Sequence, residues 1–357
     1  MAYSITRECV NCGACETECP NQAVSQGAEV FVINPEKCTE CLGFYDSARC
    51  ARVCPVNAAV LDDAHRESHR NLVARFKKLH PGIEPKGFVL LQEESKPVIA
   101  LVADGSGDAE GQAALEDLDG YIRGQFPDYD VVWAVQAVYM IEALKWRGQT
   151  TYFKRGVPLM VAADLLTRLA AAGWTKVAMQ LFMSGESNFS KAAVNADTHG
   201  MGVKYGLPFL AAAHPENEHK LVKSLEPVFG NGTETATVLV GHGSEKDFEY
   251  NEWFINIDKY LRKNYKNVFL GTLHGPPGTE SFVSSVKASG CRKVRFVSLM
   301  MSRGGHMPLD IVNDQNPQSW SNQVGLPAEA IDTFSTNPAL REYFVSSIRG
   351  LLGQFKS

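Results

Sequence analysis

TATVLVGHGS, residues 235–244, is a short, charge-free and mostly apolar run that stops at Gly-His-Gly-Ser. A run of this kind reads as a strand covered on both faces, the usual state of strands in a parallel sheet flanked by helices. Further runs follow the same plan. VIALVADGS, DVVWAVQ and KVAMQLFM precede it in the chain, and NVFLGTLHG and KVRFVSLM follow. Helical patterns near 109–125, up to about 172, and near 249–264, 277–289 and 337–352 fall between or after them. Strands that alternate with helices predict an α/β fold. The halves also match each other: ALVADGS (100–106) with VLVGHGS (238–244), and AAAGWTKVAMQLFMSGES (170–187) with VKASGCRKVRFVSLMMSRGGH (286–306). Two similar α/β lobes, 97–232 and 233–357, each with a parallel sheet, are therefore expected. Their ligand should sit beyond the carboxyl ends of the strands, in the cleft between the lobes.

The gross numbers agree with a multi-domain chain whose ligands are small molecules or proteins. Its 357 residues carry a net charge of −5 and 45% hydrophobic residues. That balance argues against a nucleic-acid surface or a polybasic membrane anchor, so neither nucleic acid nor membrane is an expected partner. The first residues lack a basic segment followed by an apolar run, and no stretch of membrane-spanning length occurs, so a cytoplasmic location is expected.

Eight of the nine cysteines precede residue 55. Cys9-x2-Cys12-x2-Cys15-x3-Cys19-Pro20 is the bacterial ferredoxin run, in which the fourth cysteine serves the other cluster. Its partner run is Cys38-x2-Cys41-x8-Cys50-x3-Cys54-Pro55. Crossed over, Cys9, Cys12, Cys15 and Cys54 form one [4Fe-4S] ligand set, and Cys19, Cys38, Cys41 and Cys50 the other. A zinc knuckle or disulfide scaffold does not account for two Cys-Pro endings. Residues 1–62, including GAEVFVINPEKCTECLGFYD, resemble the two-cluster ferredoxins with an extended second motif. The resemblance implies one-electron transfer and a redox partner protein for a small α+β domain over 1–63. Residues 64–96 read as a linker with an amphipathic helix, in which Leu72, Val73, Phe76 and Leu79 form the apolar stripe. His65, His69 and His80 lie there without a ligand pattern and are expected to be solvated.

His242, His274 and His306 each follow an apolar strand and stand beside glycine. Three imidazoles on neighbouring strand ends can converge on a divalent first-row ion that must be bound and released. Permanent zinc hydrolysis would call for a placed carboxylate base, and Glu245, Asp247, Glu280 and Asp310 have no recognised spacing. Residues 97–355 resemble the class II tetrapyrrole chelatases, the sirohydrochlorin cobaltochelatases of the anaerobic cobalamin pathway. The likeness is carried by FPDYDVVWAVQAVYMIEALKWRG, GWTKVAMQLFMSGE, VLVGHGSEKDFEYN, NVFLGTLHGPPG and VRFVSLMMSRGGHMPLDI. It implies a lyase that inserts Co2+, or Fe2+, into sirohydrochlorin. His242 and His306 match the family's metal-binding, proton-accepting histidines, and Glu186 an acidic residue facing substrate from the first lobe. His274 stands where the family carries glutamate, and ADGSGD where it carries a Ser-Phe-Gly-Thr turn.

The expected catalytic residues are thus His242, His306 and Glu186, with His242, His274 and His306 as the site for Co2+, Fe2+ or Ni2+. Arg303, Lys154, Arg155 and Lys191 are the candidate cations for the carboxylates of the tetrapyrrole. Chelation consumes no electrons, so three readings of the front module stand. It supplies electrons during or after metal insertion; or the fold hosts a reductive, even metal-removing, reaction; or the chain is a non-enzymatic electron carrier with a degenerate docking domain. A homo-oligomer is compatible with all three. Cys291, Met300 and Met301 read as packing residues, His199, His214 and His219 as unpartnered, and Trp133 and Trp146 as core residues or walls of a ring pocket.

Overall fold

The computed structural model describes residues 3–45, 47–62, 67–87, 89–90, 95–301, 305–332 and 335–356. At the front, β1 (Tyr3–Ile5), β2 (Val24–Gln26), β3 (Phe31–Ile33) and β4 (Ala59–Leu61) form two antiparallel pairs, β1 with β4 and β2 with β3. Two short helices, α1 (Ala14–Thr17) and α2 (Arg49–Val53), carry Cys15 and Cys50 into a small core with Val24, Phe31, Ala48 and Ala59.

Helix α3 (His69–Leu79) starts where the Ser68 side chain accepts from Asn71 N, a standard N-cap. Its apolar stripe, Leu72, Val73 and Phe76, packs on Leu42 with Phe44 alongside. Phe76 is fully buried, and each such side chain contributes roughly 1.5–3 kcal/mol by leaving water. The helix expected as a linker is therefore fastened to the front domain, chiefly by its apolar face. Arg75 adds a bond to the Cys38 carbonyl at 2.8 Å. His69 and His80 are not solvated as expected. His80 Nε2 lies 2.8 Å from Asn21 Oδ1, and His69 Nε2 accepts from Leu90 N at 3.0 Å with its ring 5.8 Å from that of Trp174. His65 lies outside the described residues.

The first lobe runs β5 (Val98–Ala103), α4 (Ala109–Gln125), β6 (Val131–Val135), α5 (Val138–Trp146), the hairpin β7 (Thr151–Tyr152) and β8 (Val157–Pro158), α6 (Ala162–Ala171), β9 (Lys176–Phe182), α7 (Asn188–Val194), β10 (Gly202–Gly206) and α8 (Asn217–Leu225). The second runs β11 (Thr235–Gly243), α9 (Phe248–Asn264), β12 (Val268–His274), α10 (Glu280–Ala288), β13 (Lys293–Ser298), α11 (Trp320–Val324), β14 (Ala328–Ile331) and α12 (Pro338–Gly353). Each lobe holds a four-stranded parallel sheet, ordered β10-β9-β5-β6 and β12-β11-β13-β14. Counted within each lobe, the two orders are the same, 2-1-3-4. The sequence repeat is thus a repeat of topology, and β5 and β11 are equivalent inner strands.

The final helix departs from this symmetry. α12 packs on β9 and β10 of the first lobe rather than on the sheet that precedes it. Phe344 stacks on Phe182 with centroids 4.2 Å apart, and Arg341 pairs with Asp117. A single core holds β5, β6, α4, α9 and α12 side chains together. Among the described residues no helix is long and apolar enough to cross a membrane.

Candidate functional sites

Two cavities in the front domain sort the eight cysteines. One is lined by Cys9, Cys12, Cys15 and Cys54, the other by Cys19, Cys38, Cys41 and Cys50. These are the crossed sets expected from the spacing. Backbone N–H groups donate to four of the sulfurs: Asn11 to Cys9 (3.4 Å), Ala23 to Cys19 (3.2 Å), Arg49 to Cys41 (3.3 Å) and Ala58 to Cys54 (3.1 Å). Burial pushes the Cys41 and Cys50 thiols up to about 11 and about 12. A thiolate in those positions needs a cation beside it, which bound iron supplies. Donor type, grouping and N–H···S bonds all fit two [4Fe-4S] clusters.

Between the lobes, at the carboxyl ends of the strands, lies a cleft of about 680 Å³. Tyr139, Met140 and Leu144 of α5, with Phe189, Met300 and Leu309, give it apolar walls. His242 borders it at the end of β11, and His306 after β13. The His242 ring centroid is 5.1 Å from that of His274 and 5.2 Å from that of His306, and the last two are 6.3 Å apart. The three strand-end imidazoles do meet. They form an open arrangement: among the described residues no three His, Cys, Asp or Glu side chains are already closed into a group that holds an ion.

Local structure explains the convergence. β11 and β12 are parallel neighbours in which Gly243 pairs with His274. Gly243 has φ +64°, and a Cβ on it would stand 2.0 Å from the His274 carbonyl oxygen, so only glycine lets the two loops approach. Buried Asn251 locks the loop after His242, accepting from Ser244 N at 2.8 Å and donating to Ser244 O at 2.6 Å. His306 is the residue before a π-helical turn, Met307–Ile311, a distortion frequent at functional sites. Its Nδ1 lies 2.7 Å from Asp310 Oδ2, and His242 Nδ1 lies 2.9 Å from Gly243 O. Both rings thereby keep Nε2 for the cleft. Burial first, then the neighbouring imidazoles, lower the His242 pKa, which keeps it neutral and able to ligate.

The remaining expected residues are placed otherwise. Glu186 is not on the cleft wall; its Oε2 accepts from Ala212 N at 2.8 Å. Arg155 is committed to Asp119 at 3.0 Å, and Lys191 reaches Glu249 of the second lobe at 2.7 Å. Lys154 meets Glu116 through its backbone N, away from the cleft. Arg303 lies outside the described residues. Among the described residues, the Lys and Arg side chains that border the cleft are those of Arg147 and Lys246. Trp133 is 2% exposed and donates to Asp119, whereas Trp146 is 89% exposed, and neither lines the cleft. His199, His214 and His219 are partnered, by Thr167, Glu216 and the ring of Tyr260. Two first-lobe carboxylates border the cleft, Asp104 and Asp108; Asp108 caps α4 by accepting from Gly111 N at 2.8 Å, and Asp104 is a residue that spacing alone did not single out.

Two parts of the chain match known families. Residues 98–351 match the cobalt chelatase (CbiK) family and residues 8–58 the 4Fe-4S dicluster domain. Ferredoxin Fdx2 of Sorangium cellulosum is 53% identical over 81 residues, 23% of this chain and 80% of that protein. Ferredoxin YfhL of Escherichia coli is 47% identical over 81 residues, 22% of this chain and 94% of its own. Among solved structures, SirB from Bacillus subtilis with Fe3+ is 14% identical with a TM-score of 0.49, covering 73% of this chain and 98% of that one. The family match spans well over half of the sequence and takes in the whole histidine cleft: the chain belongs to the cobalt chelatase (CbiK) family and carries a 4Fe-4S ferredoxin domain in front of its chelatase domain.

Proposed function

We propose that this metal chelatase inserts Co2+, with Fe2+ and Ni2+ as the competing ions, into sirohydrochlorin or a closely similar tetrapyrrole. The reading is carried by one observation: three imidazoles from separate strand ends meet, 5.1–6.3 Å apart, beside an apolar cleft of macrocycle size. His242, His274 and His306 present the ion through neutral nitrogens, a donor set that binds first-row divalent metals yet releases them to four ring nitrogens. Tyr139, Met140 and Leu309 offer apolar surface to the ring face, and Arg147 and Lys246 face its peripheral carboxylates.

Cys9, Cys12, Cys15 and Cys54 would hold one cluster, and Cys19, Cys38, Cys41 and Cys50 the other. When bound, such clusters supply one-electron transfer. The division of the chain into 1–63, 64–96, 97–232 and 233–357 is proposed with two amendments: α3 goes with the front domain and α12 with the first lobe. The front domain meets the first lobe through His69 and Trp174, just before the first residue of β9, and through Lys86 and Gly87, which join Gly43 to the Arg155 carbonyl on the β7–β8 turn. Metal insertion moves no electrons, so the insertion step itself asks nothing of the front domain. A reductive reaction remains the second reading only because that domain is there.

The test is anaerobic mixing of the full chain with sirohydrochlorin and each ion without reductant, followed by absorbance of the metallated ring. Insertion without reductant is expected, with loss in His306→Ala while the iron–sulfur absorbance stays. Turnover that appears only after the clusters are reduced would replace insertion by the reductive reading.

A further inference from the structure

Resting on the reading of the cleft as a metallation site, we propose that Asp104 is the first lobe's counterpart of His242 and accepts a pyrrole proton as the metal enters the ring. In the internal repeat, Asp104-Gly105-Ser106 falls on His242-Gly243-Ser244. The structure puts both at the ends of the equivalent inner strands β5 and β11 and on the wall of the same cleft. Each is followed by a glycine of positive φ, +98° at Gly105 and +64° at Gly243. The two lobes thus offer one ionisable group each from corresponding positions, an imidazole that can ligate and a carboxylate that can take a proton.

Asp104 Oδ1 is buried with no hydrogen-bond partner, where the large majority of buried side-chain polar atoms have at least one. The loop that carries it is tied down. The Tyr152 hydroxyl accepts from Ser106 N at 2.5 Å and donates to Ser106 O at 2.6 Å, and a Cβ on Gly105 would meet Met140 Cε at 2.4 Å. A group held unsatisfied by a rigid loop at a cleft wall is the arrangement functional sites retain at a cost in stability. Burial raises the carboxyl to about 6, close to the pH at which an acceptor works best. The charged and titratable groups that line the cleft with it are Asp108 of the same loop, Tyr139 of α5 and Arg147 just after it, Tyr250 of α9, and Lys246, Asp247, His242 and His306 of the second lobe. Burial first and then the Asp104 charge raise the two tyrosines, which stay protonated.

Insertion of M2+ forms four metal–nitrogen bonds, breaks two N–H bonds and releases two protons, with no change in oxidation state. Asp104 takes one proton, and an imidazole freed as the metal leaves it takes the other.

The experiment compares the full-length wild type with Asp104→Asn and Asp104→Glu, with sirohydrochlorin and Co2+, from about pH 5 to about 9. Ring binding is read from quenching of sirohydrochlorin fluorescence, insertion from absorbance, and folding from melting and the iron–sulfur spectrum. Expected for Asp104→Asn is unchanged ring affinity, insertion slowed ~100-fold and loss of the rise in rate around pH 6, with partial recovery in Asp104→Glu. A wild-type rate and pH profile in folded Asp104→Asn overturns the assignment and leaves the chelatase reading intact. Loss of ring binding in that variant overturns it as well, making Asp104 a binding residue. A wild type that binds the ring but inserts none of Co2+, Fe2+ and Ni2+ overturns the metallation reading and this assignment together.

Discussion

The Nδ1 of His306 lies 2.7 Å from Oδ2 of Asp310, one π-helical turn further on. A carboxylate on the far nitrogen fixes the ring's orientation and tautomer and raises the basicity of the near one, the usual support for a metal-ligating histidine. Asp310→Asn keeps the shape and removes the charge. Its metal affinity, measured by anaerobic Co2+ titration, is expected to fall ~10–100-fold with ring binding unchanged. An unaltered titration would show that Asp310 only caps the turn.

The cysteine cavities predict which losses go together. Cys9 and Cys54 line one cavity although 45 positions separate them in the sequence, whereas Cys15 and Cys19, four apart, line different ones. Replacing both Cys9 and Cys54 by serine should halve the iron per chain and leave one cluster's electron paramagnetic resonance signal. Replacing Cys15 and Cys19 together should remove both signals. Equal damage from the two pairs would refute the crossed sets.

What could be read in advance follows from which forces act locally. The inner strands β5, β9, β11 and β13 are buried along nearly their whole length, so composition alone marks them. The outer strands β10 and β14 are half-exposed, and GVKYG and AEAI hold no apolar run to betray them. The strand-end histidines were legible because a polar residue beside glycine interrupts an apolar run. Asp104 carries the same signature, but in sequence ADGSGD stands out only as a departure from the family's Ser-Phe-Gly-Thr turn. Glu186 and Arg155 failed for a common reason: pairing with Ala212 N and with Asp119 is set by tertiary neighbours far along the chain. The return of α12 to the first lobe leaves no local trace either, since its amphipathic stripe suits either sheet.

That return is testable through stability. Phe344 and Phe182 are both buried, and their rings stack across the junction between helix and first-lobe sheet. Phe344→Ala removes a large core side chain and leaves a cavity, a change that costs about 3–5 kcal/mol. Urea unfolding followed by tryptophan fluorescence should lose that much in the chelatase-domain transition, with the iron–sulfur absorbance of the untreated protein unchanged. A loss below about 1 kcal/mol, the level of a surface change, would mean that α12 does not hold the lobes together.

Asp104 also leaves a mark on stability that needs no substrate. Its carboxyl titrates near 6 in the folded chain against an ordinary value of 3.8. Between these two values the folded chain holds a proton that the unfolded chain has already lost, so stability falls as pH rises through the window. Below it the effect is absent, and above it the deficit is constant at no more than about 3 kcal/mol. Asp104→Asn carries no charge at any pH and escapes this deficit. It is therefore expected to melt several degrees above the wild type at about pH 8, with the gap closing as the pH is lowered through 6 and vanishing near 4. A gap that does not change with pH would show that the Asp104 carboxylate is stabilised by a neighbour after all, and that it sits in the cleft as an ordinary ionised aspartate.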